Sequence, residues 1–164
     1  MSFHHADQGW RDRFDVLFKH LFINCSVRGG DISPDISTEY IKRLIQDDYV
    51  RDASVVVVLV GPQTFCRKHV DWEISAGLNK KVGGYSGLLG LCLPTHVDYQ
   101  RQNYTQSSVP ARLVDNLKSR YAALYDWSED ASAIAQYVQR AFESRVSLAN
   151  LIDNSRPQLQ RNLC

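Results

Sequence analysis

The sequence predicts an α/β domain of three layers, in which a central, mainly parallel five-stranded sheet carries helices on both faces. Two apolar runs, at residues 54–60 and 87–93, end at Gly61-Pro62 and at Pro94 without polar alternation. Such runs are typical of strands that are covered on both faces. Between them apolar or small residues recur at helical spacing, at Val70, Ile74, Gly77 and Leu78. A strand, a helix and a strand in this order predict a right-handed parallel crossover.

The remaining elements continue the alternation. Only Met1–His5 can supply a first strand, so either that strand is short or the sequence starts inside it. A helix is predicted from Trp10 to about Phe22. A weak strand at 23–27 and a helix at 38–48 come next. Later in the chain we predict a surface loop at 95–110, a last strand at 121–125, a long helix at 131–151 and a frayed tail beyond Asp153.

Length and composition set further limits. With 164 residues, 44% of them hydrophobic, the chain fits one domain, which we place at residues 1–152 with a tail at 153–164. A net charge of +1 argues against a nucleic-acid partner. No apolar run reaches the roughly 20 residues of a membrane helix, and Met1-Ser-Phe-His-His lacks a signal-peptide pattern. We therefore expect a cytoplasmic protein without a membrane partner.

The four cysteines are scattered along the chain, at positions 25, 66, 92 and 164. They form no CxxC pair and stand at no close spacing to a histidine, which gives little support to a structural zinc site. A chain of this size needs no disulfide to fold, so the sequence predicts free thiols.

A ligand site is expected at the carboxyl ends of the strands. If the strand order is flavodoxin-like, the first and third strands are neighbours, and the segments 4–7 and 61–69 face one crevice. On a helical wheel Glu73 falls at the edge of the buried face, on the side of His69, while Asp71 lies at the opposite edge and Trp72 points away from the core. On spacing alone, the simpler interpretation of Glu73 is an anionic residue that stabilises a helix N-terminus.

Three segments together carry a family resemblance: Phe3-His-His-Ala-Asp7, Ser54-Val-Val-Val-Val-Leu-Val-Gly-Pro62 and Arg67-Lys-His-Val-Asp-Trp-Glu-Ile74. Over about residues 1–93 the chain resembles the TIR-like domain family that includes the Thoeris antiviral-defence proteins of bacteria. The block around Asp71-Trp-Glu-Ile74 is the most specific part. The resemblance implies a flavodoxin-like TIR fold.

The resemblance also implies an activity. By motif position Glu73 is the glutamate needed for NAD cleavage, so NAD is expected as a substrate of an NAD glycohydrolase or cyclase, with no cofactor and no metal. The product would be a cyclic or conjugated ADP-ribose signal that activates a separate effector protein, in a domain that is nearly inactive until infection. Further substrate-binding residues are expected in the crevice: Phe3, His4, His5, Asp7, Phe65 and His69.

Other interpretations remain open or are excluded. His4 and His5 have the alternative role of metal ligands, although no matching carboxylate or cysteine pair accompanies them. A non-catalytic TIR-type adaptor that acts through protein assembly is the alternative function, and an outward Trp72 would offer a surface for self-association. A response-regulator-like receiver is excluded because Val60-Gly61 stands where its aspartate would end the third strand.

Overall fold

A parallel sheet forms the centre of the domain. The structure, a computed structural model, describes residues 1–22 and 53–164. Its strands are β1 (Val55–Val60), β2 (Gly87–Cys92) and β3 (Ala123–Asp126), which pair in that order and in parallel. Its helices are α1 (Gln8–Phe18), α2 (Lys68–Gly77), α3 (Ala111–Lys118) and α4 (Ala131–Ser147). The predicted parallel crossover from β1 through α2 to β2 is confirmed.

The first predicted strand is reduced to a single parallel bridge between Ser2 and Val58. The Ser2 N–H donates to the Val57 carbonyl at 2.7 Å, and the Ser2 carbonyl accepts from the Leu59 N–H at 2.9 Å. This bridge places the N-terminal segment beside β1, which is the third strand of the sequence-based prediction. The predicted pairing of the first and third strands requires this arrangement. The described residues thus show three strands rather than five, and the predictions for 23–27 and 38–48 lie outside the described residues.

Alternation along β1 divides the core into two layers. Val56, Val58 and Val60 pack with the apolar side chains of α2 and α3 on one face of the sheet. Val57 and Leu59 pack with α1 and α4 on the other face. The predicted three-layer architecture is confirmed by these two clusters.

Local features set where the helices begin and how closely they pack. The Asp130 carboxylate accepts the Ser132 N–H at 2.8 Å and caps the start of α4. At Gly87 an added Cβ would collide with the Ala141 carbonyl, so glycine here lets the α4 backbone rest directly on β2. Helix α3, which the sequence analysis did not predict, connects the loop at 95–110 to β3.

Trp72 corrects the predicted orientation of one face of α2. The side chain is 1% exposed and lies in the core cluster, not on the outer surface. Its Nε1–H donates to the Leu159 carbonyl at 2.8 Å, so the C-terminal residues cover what the wheel placed outside. The predicted contact surface at Trp72 is therefore wrong.

The C-terminal residues also contradict the expected frayed tail. The Leu163 N–H donates to the Cys66 carbonyl at 2.9 Å, and Cys66 is disulfide-bonded to Cys164 with a Cα–Cα distance of 5.7 Å. The prediction of free thiols is thus wrong for this pair, while Cys92 is free and buried. Cys25 lies outside the described residues. The division of the chain at residue 152 stays a prediction.

Among residues 1–22 and 53–164, no helix has the length and apolar character needed to cross a membrane.

Candidate active site

Asp7 joins the N-terminal segment to the carboxyl end of β1. Its buried carboxylate lies 3.4 Å from the Thr64 hydroxyl, which also accepts the Gly61 N–H at 2.9 Å. An added Cβ at Gly61 would collide with the Asp7 carboxylate, so glycine makes room for it. Burial raises the pKa of Asp7, and the hydrogen bond with Thr64 opposes that rise. The two predicted segments therefore meet, as expected.

His4 carries a buried nitrogen that makes no hydrogen bond with the described residues. The ring is 4% exposed, and its Nδ1 accepts the Ala6 N–H at 3.3 Å. In the neutral ring the proton is then assigned to Nε2, which is buried and has no hydrogen-bond partner among the described residues. Burial, with the charges of Arg67 and His5, lowers the pKa of His4 to about 4. At neutral pH His4 is therefore an uncharged donor.

Arg67 and Ser2 add two more such groups near β1. Arg67 lies close enough to His4 to affect its pKa, and its guanidinium donates to the Gln63 side chain at 2.9 Å. Its Nε is buried without a partner in the part of the chain that the structure describes, as is the Ser2 hydroxyl. Buried polar groups are nearly always hydrogen-bonded, so these groups are candidates for contacts with a ligand.

Glu73 lies on α2 next to the N-terminal segment. The side chain is partly exposed, and burial raises its pKa to about 7. The Ser2 hydroxyl and the positive charge of the amino terminus lower the pKa by smaller amounts. Burial is the larger effect, so the net shift of the pKa is upward. A carboxylate with a pKa near neutrality is typical of functional sites.

The other predicted site residues differ in burial and in their neighbours. Phe65 is partly buried in the 3₁₀ turn Thr64–Cys66, and His69 is half-buried on α2 with its ring centre 5.1 Å from that of Trp72. His5 is exposed, with its ring centre 4.1 Å from that of His4. Phe3 instead packs against the cluster on the face of α1 and α4, so the structure does not bring it together with Glu73.

Sequence reasoning missed Ser2, Thr64 and Arg67. The signal for Ser2 was strand alternation, because Ser2 and His4 point to one face of a strand while Met1 and Phe3 point to the other. No local pattern marked Arg67, whose contribution depends on the turn between β1 and α2. Within residues 1–22 and 53–164, no three side chains of His, Cys, Asp or Glu come together as metal ligands. The alternative of a His4–His5 metal site thus has no third ligand in these ranges.

Comparison with protein families identifies a match over the N-terminal part of the chain. The family model described as "Thoeris protein ThsB, TIR-like domain" matches residues 1–98, which is more than half of the 164 residues. The matched region contains the N-terminal segment, β1, the turn at Gly61 and the whole of α2. No curated protein and no solved structure gives a significant match.

Proposed function

The chain belongs to the Thoeris ThsB TIR-like family of antiphage defence, and we propose that it is an enzyme that cleaves the nicotinamide–ribose bond of NAD. The observation that supports the proposal is the position of Glu73. The Glu73 carboxylate, whose pKa burial raises to about 7, lies next to Ser2 of the N-terminal segment. The same segment carries His4, whose Nε2 is buried without a partner among the described residues.

The chemistry requires one negative charge near the ribose. Cleavage of the bond passes through an oxocarbenium-like state, as in glycoside hydrolysis, and positive charge develops on the sugar. The ionised Glu73 carboxylate would stabilise that charge and orient the ribose hydroxyls. Nicotinamide leaves as a neutral group, so no general acid is needed. A site with a single glutamate is therefore sufficient.

The unpaired donors match the remaining parts of the substrate. The neutral His4 Nε2–H and the Ser2 hydroxyl suit ribose hydroxyls or the carboxamide, and the Arg67 guanidinium suits a phosphate oxygen. Phe65, His69 and Asp7 are further candidates for substrate contacts, whereas the exposed ring of His5 is expected to contribute less. In this arrangement NAD is a substrate and not a resident cofactor.

The fate of the ADP-ribosyl group decides the biological output. Transfer to an acceptor within the nucleotide or to a second molecule gives a cyclic or conjugated signal, which would activate a separate effector protein. Transfer to water gives plain ADP-ribose. We propose the signal-forming reaction, because it gives a defence protein a product that an effector can recognise.

Mass spectrometry of NAD reactions tests the proposal. The purified protein is incubated with NAD, alone and with an extract of phage-infected cells, and the products are compared with those of Glu73→Gln. We expect little turnover by the resting protein, formation of nicotinamide and an ADP-ribose derivative with the extract, and neither with the variant. If the folded protein leaves NAD intact in both conditions, an assembly adaptor becomes the better interpretation.

A further inference from the structure

Two consecutive residues of α2 hold one residue of the C-terminal tail. The Trp72 Nε1–H donates to the Leu159 carbonyl at 2.8 Å, and the Leu159 N–H donates to Asp71 Oδ2 at 2.9 Å. Both backbone groups of Leu159 are therefore used on α2. These contacts lie at the two positions directly before Glu73.

Asp71 is held at the same time from α3. Arg112 Nε donates to Asp71 Oδ1 at 2.8 Å and its second nitrogen lies 3.3 Å from Oδ2, which gives a two-point pair. Asp71 is 5% exposed and Arg112 1%. A pair so fully removed from water is stable only with good geometry and with its remaining groups satisfied. The Leu159 N–H supplies one of those remaining bonds.

The tail is anchored at both of its ends. At its start, the Asn116 side chain donates to the Asp153 carbonyl at 2.7 Å and accepts the Asp153 N–H at 3.0 Å. At its end, Asn162 Oδ1 accepts the Lys68 N–H at 3.1 Å, and so satisfies an amide that the first turn of α2 leaves unpaired. Beyond it the Cys66–Cys164 disulfide closes the loop. We call residues 153–164 the C-terminal strap.

We propose that the C-terminal strap is a positioning element of the NAD-cleaving site, which fixes the orientation of Glu73 by holding Asp71 and Trp72 through Leu159. The inference rests on the proposed function for its activity. Leu159, Asp71 and Trp72 are positioning residues, because they act through Glu73 and not on the substrate. A displacement of about 1 Å at a reacting group can lower a rate about 100-fold.

The matched pair Leu159→Pro and Leu159→Ala tests the proposal. Proline removes the N–H that Asp71 accepts, whereas alanine removes the side chain and keeps both backbone groups. In Leu159→Pro we expect kcat for NAD to fall about 10- to 100-fold with KM changed less than about twofold. In Leu159→Ala both constants should stay within about twofold of the wild-type values. Thermal unfolding shows that each variant is folded.

A second measurement does not depend on activity. Carbon-13 NMR titration of the Glu73 carboxyl, assigned with Glu73→Gln, reports the surroundings of this group, which include Ser2 and the amino terminus. In the wild-type protein burial raises the pKa of Glu73 to about 7. In Leu159→Pro it should move toward the ordinary value of 4.5, because a loosened helix lets water reach the carboxylate.

The outcomes separate the two proposals. A loss of kcat together with a lowered pKa in Leu159→Pro, and neither in Leu159→Ala, supports the strap. Unchanged kcat and unchanged pKa in a folded Leu159→Pro overturn it. If the wild type never cleaves NAD, the proposed function fails, and the titration alone decides on the strap. Should Leu159→Pro not fold, Trp72→Phe, which removes the donor to the Leu159 carbonyl, takes its place in both measurements.

Discussion

Asp71 and Glu73 are two carboxylates on one helix, and their surroundings are opposite. Asp71 is buried with a two-point pair to Arg112 and a hydrogen bond from Leu159. Glu73 is partly exposed, has an amino terminus and a serine nearby, and has its pKa raised to about 7. A carboxylate that is buried and paired within the protein stabilises the fold, whereas a partly exposed carboxylate with a raised pKa is available to a substrate.

The largest expected effect comes from removing the available carboxylate. Glu73→Gln keeps the shape of the side chain and loses its charge, so NAD cleavage should fall by about 100- to 1,000-fold or more. Stability should be unchanged or slightly higher, because the amide is less costly to bury than a charge. The assay follows nicotinamide release under conditions where the wild type is active. Glu143→Gln, on the exposed side of α4, is the control and should behave as the wild type.

The reverse result is expected at Asp71. Asp71→Ala leaves Arg112 buried without its partner and should lower the free energy of unfolding by about 3–5 kcal/mol. The control is Asp115→Ala, which breaks the more exposed pair with Arg156 at 2.7 Å and should cost about 1 kcal/mol or less. Urea unfolding measures both. Equal losses of unfolding free energy in the two variants would mean that burial does not make the Asp71–Arg112 pair more important for stability than the Asp115–Arg156 pair.

The strap supplies the next effect in size. The Cys66–Cys164 bond joins residues 98 positions apart. A disulfide typically contributes roughly 2–4 kcal/mol to the free energy of unfolding. Cys164→Ala should lose this stability, and a thiol reductant should lower the stability of the wild type by a similar amount but leave the variant unchanged. Cys92→Ala should keep its response to the reductant. Mass spectrometry of the intact wild-type protein checks the bond. A mass equal to that of the fully reduced chain, instead of two hydrogens less, would refute it.

The difference between Asp71 and Glu73 also explains which features were predictable from sequence. The valine run of β1, the crossover to β2 and the edge position of Glu73 are local patterns that burial and helical periodicity encode. The partner of Asp71 lies 41 positions away in α3, and the residue that covers Trp72 lies 87 positions away. A helical wheel of α2 includes neither Arg112 nor Leu159, so it predicts that Trp72 is exposed to solvent. The two cysteines were likewise judged by local spacing, although the fold brings them together.

The pH dependence sharpens the comparison further. Because the pKa of Glu73 is raised to about 7, the ionised form needed for NAD cleavage becomes dominant only above that pH. Activity should therefore rise about tenfold per pH unit well below 7 and level off above it.

The stability of the fold should depend on pH in the opposite direction, because the folded state favours the neutral form of Glu73. The stability from this group is present below the unfolded value near 4.5 and is lost as the pH rises through about 7. In Glu73→Gln this contribution to the pH dependence of stability should vanish.

The smallest effect distinguishes His4 from His5, two neighbouring rings that differ in burial and in available bonds. The His4 Nε2–H is buried and unpaired among the described residues, whereas His5 is exposed. His4→Phe keeps an aromatic ring and removes the donor, so KM for NAD should rise several-fold, as expected for about 1 kcal/mol of lost hydrogen bonding. His5→Ala should change kcat and KM by no more than about twofold, and thermal unfolding should show both variants folded. His4 is neutral, because its pKa is lowered to about 4. The ratio of the KM of His4→Phe to that of the wild type should therefore stay constant from about pH 6 to about pH 8. A larger loss in His5→Ala than in His4→Phe would mean that the substrate uses the exposed ring, and that the unpaired donor of His4 is not part of the site.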